Sequence, residues 1–167
     1  KIQVEFNPSK VSKYRLIGYE NRILNNEDFD DDKKDAGELG AGATVTVLYE
    51  IVPVTDEKIE NNLKYQTSLL TDSNDLMTVK IRYKEPDGDE SLLCEYPVSD
   101  MENPEFSEDF NFAVAVCELG MILNESEYAS SITLDDVIQL ARKGIGEDRF
   151  GLRSEFVQLV DLLTYLQ

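Results

Sequence analysis

The sequence predicts an α+β fold, on three observations. Apolar and polar residues alternate through much of the first 100 positions, the period of antiparallel strands with one wet face. After Pro104 the apolar period becomes that of helices. Strand signals come first and helix signals second, a segregation that gives α+β and not alternating α/β. The expected architecture is an antiparallel, β-sandwich-like sheet layer over about residues 1–100, followed by three helices over 101–167. The helices are expected to pack on or beside the sheet, the whole forming one structural unit cut from a larger protein.

Ile2, Val4 and Phe6 alternate with polar residues as a half-buried strand does, and Pro8 ends the run. Tyr14 to Tyr19 is the second candidate strand, followed by an acidic loop from Asn25 to Gly42. Thr44 to Ile51 is the third, with Val45, Val47, Tyr49 and Ile51 on one face. Residues 55–75 are polar and aperiodic, and read as a long loop or irregular insertion. The clearest hairpin follows. Met77, Val79, Ile81 and Tyr83 share a face, Glu85-Pro86-Asp87-Gly88-Asp89 turns, and Leu92, Cys94, Tyr96 and Val98 return. The strand count is low for a closed sandwich, which leaves an exposed edge for pairing.

Ser107 is placed to cap a helix running to about Asn124. Its apolar residues occupy two faces, one with Phe110, Ala113, Val114, Cys117 and Met121, the other with Phe112, Val116, Leu119 and Leu123. Such a helix is expected to be buried. Thr133 and Asp136 form a capping box, Leu134, Val137, Ile138 and Ala141 give the second helix its buried stripe, and Gly144 and Gly146 stop it. The last helix spans about Leu152 to Leu166, with Phe156, Leu159, Val160, Leu163 and Leu166 facing inward.

The 167 residues carry 34 acidic and 16 basic side chains, a formal charge of −18. That charge repels phosphate backbones and disfavours docking on anionic lipid, so nucleic acid is not expected. No stretch approaches the roughly 20 apolar residues of a membrane span, so direct membrane insertion is not expected either. The charge suits a solvated surface, a cation or a basic protein partner. Histidine is absent, which removes the commonest general base and metal ligand. Cys94 and Cys117 both fall on apolar faces, where small core residues are commoner than nucleophiles. They pair only if their Cα atoms lie within about 7 Å.

Two stretches invite a functional reading. In Glu27 to Glu38, the carboxylates Asp28, Asp30, Asp32, Asp35 and Glu38 lie in a loop that can wrap calcium. The first three repeat the start of an EF-hand, but Lys33 stands where the sharp turn needs glycine and Leu39 where the bidentate glutamate belongs. The plainer reading is a solvated loop that caps neighbouring backbone. Gly37 to Gly42 lacks the lysine and hydroxyl of a phosphate loop and precedes a strand, so it reads as a tight turn. In Gly146 to Phe156, the residues Asp148, Arg149, Arg153 and Glu155 crowd the start of the last helix. Ion pairs that hold this helix are the plainer reading, and a polar docking site for a partner the sharper one. No catalytic motif is present, and no enzymatic activity is expected.

Lys1 to Pro8, Tyr14 to Arg22, Asp35 to Glu38, Gly40 to Gly42 and Leu48 to Ile51, with Gly146 to Gly151 and Arg153 to Phe156, together resemble a known family. It is the C-terminal region, of unknown function, that follows a von Willebrand factor type A domain in bacterial proteins. The resemblance implies a parent at the cell envelope or outside the cell, periplasmic or lipid-anchored, with the type A domain of the same chain as a partner. The adhesion motif of that domain, Asp-x-Ser-x-Ser, does not occur here. Ala43 also stands where the family often has histidine after its Gly-Ala-Gly turn. No catalytic residue is carried over, and the implied role is a non-catalytic interaction or scaffold module, with calcium binding by the acidic loop as the alternative.

Overall fold

The computed structural model describes residues 1–18, 23–34, 36–55, 73–86, 88–100 and 105–166. The α+β class holds, with antiparallel sheets preceding three helices. The chain divides into two compact units, Lys1–Glu102 and Asn103–Gln167.

In the first unit, β1 (Ile2–Phe6), β4 (Asp75–Tyr83) and β5 (Leu92–Ser99) form a sheet in the order β1-β4-β5, while β2 (Val11–Ile17) and β3 (Leu48–Pro53) form a ribbon. The second strand starts earlier than its hydropathy predicts because a tight turn precedes it. The Asn7 carbonyl accepts from the Lys10 and Val11 amides, and the Asn7 side chain accepts from the Ser9 amide, with Pro8 between. This turn delivers Val11 to a position only 6% exposed. The third strand starts later than expected, at Leu48. Its ladder opens at the pair Ile17↔Leu48, and Gly18, at φ +69°, turns the chain away there.

The hairpin pairs as its alternation predicts. Met77 faces Val98, Val79 faces Tyr96, Ile81 faces Cys94 and Tyr83 faces Leu92, while Ile2, Val4 and Phe6 of β1 face Ile81, Val79 and Met77. One sheet face is therefore apolar across all three strands. The ribbon meets this face at one end, where the Phe6 ring stacks on Tyr14 at 4.5 Å and edge-on to Tyr49 at 5.3 Å. The opposite face is polar, with Lys80 hydrogen-bonded to Glu5 at 2.8 Å across strands. Most of the expected insertion at 55–75, and the turn residue Asp87, lie outside the described residues.

In the second unit, α1 (Glu108–Leu123), α2 (Leu134–Lys143) and α3 (Leu152–Leu163) begin at their expected places. Ser107 accepts from the Phe110 amide at the start of α1, and Thr133 and Asp136 form the complete capping box of α2. Each such cap contributes about 1 kcal/mol. The core is Ala115, Leu134, Val137, Ile138, Ala141, Val157 and Val160, centred on the strongly amphipathic α2.

Two helical expectations need correction. α1 is not buried all round: it packs through Phe112, Ala115, Leu119 and Ile122, whereas Val116 is 44% and Leu123 62% exposed. α2 meets one side of α1, and on the other side Ala113, Val114, Cys117 and Met121 are half-buried, not buried. α3 turns Phe156, Val157, Val160 and Leu163 inward, leaving Leu159 and Leu166 exposed. Its ladder also ends at Leu163, where the bonds from Thr164, Tyr165 and Leu166 tighten to the 3-10 pattern. No helix among the described residues is long and apolar enough to cross a membrane.

Candidate functional site

The acidic loop is fastened to the β4–β5 hairpin by its own side chains. Phe29 is 6% exposed, and the Arg82 guanidinium lies over its ring at 5.5 Å. Arg82 also donates to Asp30 at 2.6 Å and to the Ser91 hydroxyl at 3.0 Å. Asp32 accepts from both the hydroxyl and the amide of Ser91, and these bonds hold its carboxyl below the usual carboxylate range. Asp28 pairs with Lys34 at 3.3 Å.

The three EF-hand-like carboxylates thus point to three separate partners. Glu38 is exposed, and Asp35 lies outside the described residues. Among the described residues no group of three or more acidic or cysteine side chains is placed to hold a metal. What the sequence did not reveal is Arg82, the hub of this arrangement. It lies 52 positions from Asp30 on the polar side of a regular alternation, and nothing in the local pattern distinguishes it from Lys80 or Lys84.

The other charged stretch is divided by the fold. Asp148 and Arg153 bond within their own unit. Gly151 begins α3 at φ +71° and offers no side chain to cap it. Asp148, three residues earlier, accepts from the Arg153 amide at 3.0 Å and the Ser154 amide at 2.8 Å, and so substitutes for the missing cap. These bonds lower its pKa, the Ser154 bonds first. Arg153 donates to the Gly144 carbonyl at 2.6 Å and to Asp109, and its guanidinium lies 5.0 Å from the Phe112 ring centre. Arg149 and Glu155 stay on the surface, Arg149 lying 5.9 Å from the ring of Phe150, which is 81% exposed. Asp109 was missed in the sequence because it sits 44 positions away in another helix. Cys94 and Cys117 are both half-buried.

One carboxylate is displaced toward its neutral form. Burial, and then the nearby Asp136 carboxylate, raise the pKa of Glu118 above the ordinary glutamate value. The folded chain therefore keeps this proton at pH values where the unfolded chain has released it. Glu118 costs stability as pH rises from the ordinary glutamate range through its folded pKa. Glu118→Gln is expected to raise the melting temperature at pH 7, with the gain shrinking to nothing toward pH 4. Melting curves of both proteins across that range check this; a gain independent of pH would sink it.

A family model described as "Uncharacterized protein YfbK, C-terminal" matches residues 1–166. Uncharacterized protein YfbK of Escherichia coli (strain K12) is 39% identical over 166 residues, which is 97% of this chain and 29% of that protein. The chain thus spans less than a third of the length of this curated relative. No solved structure matches. On the length of the family match and the identity to this relative, the chain belongs to the YfbK C-terminal family.

Proposed function

We propose that this region is a non-catalytic interaction module that supports the rest of its parent, a von Willebrand factor type A domain protein of the bacterial cell envelope. The observation that carries this reading is how the charged and apolar residues are used. The residues that resemble a site are engaged inside their own unit: Arg82 with Asp30 and Ser91, and Arg153 with Gly144 and Asp109. Meanwhile both units leave large apolar side chains exposed, among them Tyr96, Leu92, Leu123 and Leu166. Exposed apolar area on a chain of charge −18 fits a surface that is covered in the parent and not one that meets its own copies. The resemblance supplies the type A domain and the envelope.

The test is capture in trans. The tagged 167-residue chain is expected to retain the preceding part of its parent, and a parent truncated before this region is expected to melt earlier than the intact protein. Failure of capture, together with unchanged melting of the truncated parent, would overturn the reading.

A further inference from the structure

Among the described residues, the apolar face of the three-stranded sheet is only partly covered. Eleven apolar residues line it, from Ile2, Val4 and Phe6 through Met77, Val79, Ile81 and Tyr83 to Leu92, Cys94, Tyr96 and Val98, and the register joins them without a gap. None of the eleven is buried. Among the described residues, ring contacts join the ribbon to this face at Phe6. At the far end Ile2 is 52%, Tyr83 41%, Leu92 48% and Tyr96 57% exposed, around the half-buried Ile81 and Cys94. The polar face, by contrast, carries cross-strand ion pairs and the Phe29 loop. A sheet with one polar and one apolar face needs a second layer over the apolar one.

We infer that this open half, centred on Cys94, is the seat of an apolar element from the part of the parent protein that precedes this C-terminal region. The inference rests on the interaction-module reading above and names its surface. Three observations select this occupant. The curated relative is more than three times as long as the matched region, so a tethered element is available at high effective concentration. The charge of −18 opposes a second copy of this chain in the same place. Among its described residues, the hairpin tip beside the open end carries the exposed acids Glu85, Asp89 and Glu90 against Lys84, so the seated element is apolar with lysine or arginine at its rim.

Cys94 is a native reporter at the centre of the face. Pulse labelling with N-ethylmaleimide, read peptide by peptide, compares its rate in the 167-residue chain and in the full-length parent. Labelling is expected to be at least about tenfold slower in the full-length protein. Leu92→Asp with Tyr96→Asp, in that protein, should return the rate to that of the short chain. Both side chains are about half exposed, so the short chain carrying the two changes should melt as before.

Equal rates in the two wild-type forms overturn the seat, and if capture in trans still succeeds, the interaction reading stands on another surface. Slow labelling already present in the short chain at all concentrations also overturns it, because the chain's own residues then cover the face. Protection that grows with the concentration of the short chain overturns it in favour of a second copy. Protection that survives the double substitution overturns it as well.

Discussion

Gly144→Ala is expected to destabilise the helical unit strongly. A Cβ at this position would lie 2.5 Å from the Phe112 amide nitrogen, 2.7 Å from the Glu108 carbonyl oxygen and 2.8 Å from the Phe112 Cα. All three atoms belong to backbone of α1, so no side chain can swing aside. The end of α2 and the start of α1 must separate, and with them the contacts that Phe112 and Ala115 make to the core. Conformation is not the issue, since Gly144 has φ −99°, which any residue adopts.

The cost is about 3 kcal/mol or more, at the upper end of overpacking, because it falls on two helices at once. In a unit of this size that lowers the melting temperature by roughly 12–24 °C. Gly120→Ala is the control. It lies within α1 with nothing within 4 Å of its added methyl, so the same substitution should stabilise the unit by about 0.5–1 kcal/mol. Thermal melts followed by helical circular dichroism and region-resolved hydrogen exchange measure both. If Gly144→Ala melts with the wild type, the close crossing of α1 and α2 is wrong.

This contrast shows where sequence reading stops. Gly144 was legible as a helix stop, since glycine commonly follows the last helical turn. Its second role, admitting the backbone of α1, depends on a crossing between helices about 30 residues apart, and no local pattern encodes that. The faces of β4 and β5 were legible because a period of two fixes which side chains share a side, and register then follows from a short turn. The inward face of α3 was only half legible. Its apolar residues outnumber the positions its neighbour can cover, so periodicity offers two stripes, and packing against α2 selects the one through Val157. The charged stretches were legible as clusters but not as contacts. Asp30 and Arg153 each find a partner more than 40 positions away, and composition cannot tell a held carboxylate from a free one.

Arg153 accounts for the second large effect. A cation in the first turn of a helix opposes the helix dipole, so local preference does not explain it. Its partners do. The guanidinium joins the Gly144 carbonyl at the C-terminus of α2, the Asp109 carboxylate in the first turn of α1, and the ring of Phe112. Three helix ends meet at one planar group, which a single ammonium cannot copy.

Arg153→Met keeps the aliphatic length and removes every hydrogen bond. It is expected to cost about 2–3 kcal/mol, mostly from the carbonyl of the buried Gly144 losing its charged donor. Arg153→Lys should fall between the two, since lysine retains charge but not the fork. Asp109→Asn should cost no more than about 0.5 kcal/mol, because Asp109 is 83% exposed and its pairing is screened. Denaturant melts of the four proteins give that order directly. Arg153→Lys equal to wild type would show that charge alone suffices and remove the fork from the account. A loss in Asp109→Asn as large as that in Arg153→Met would move the stabilisation from the Gly144 carbonyl to the surface ion pair.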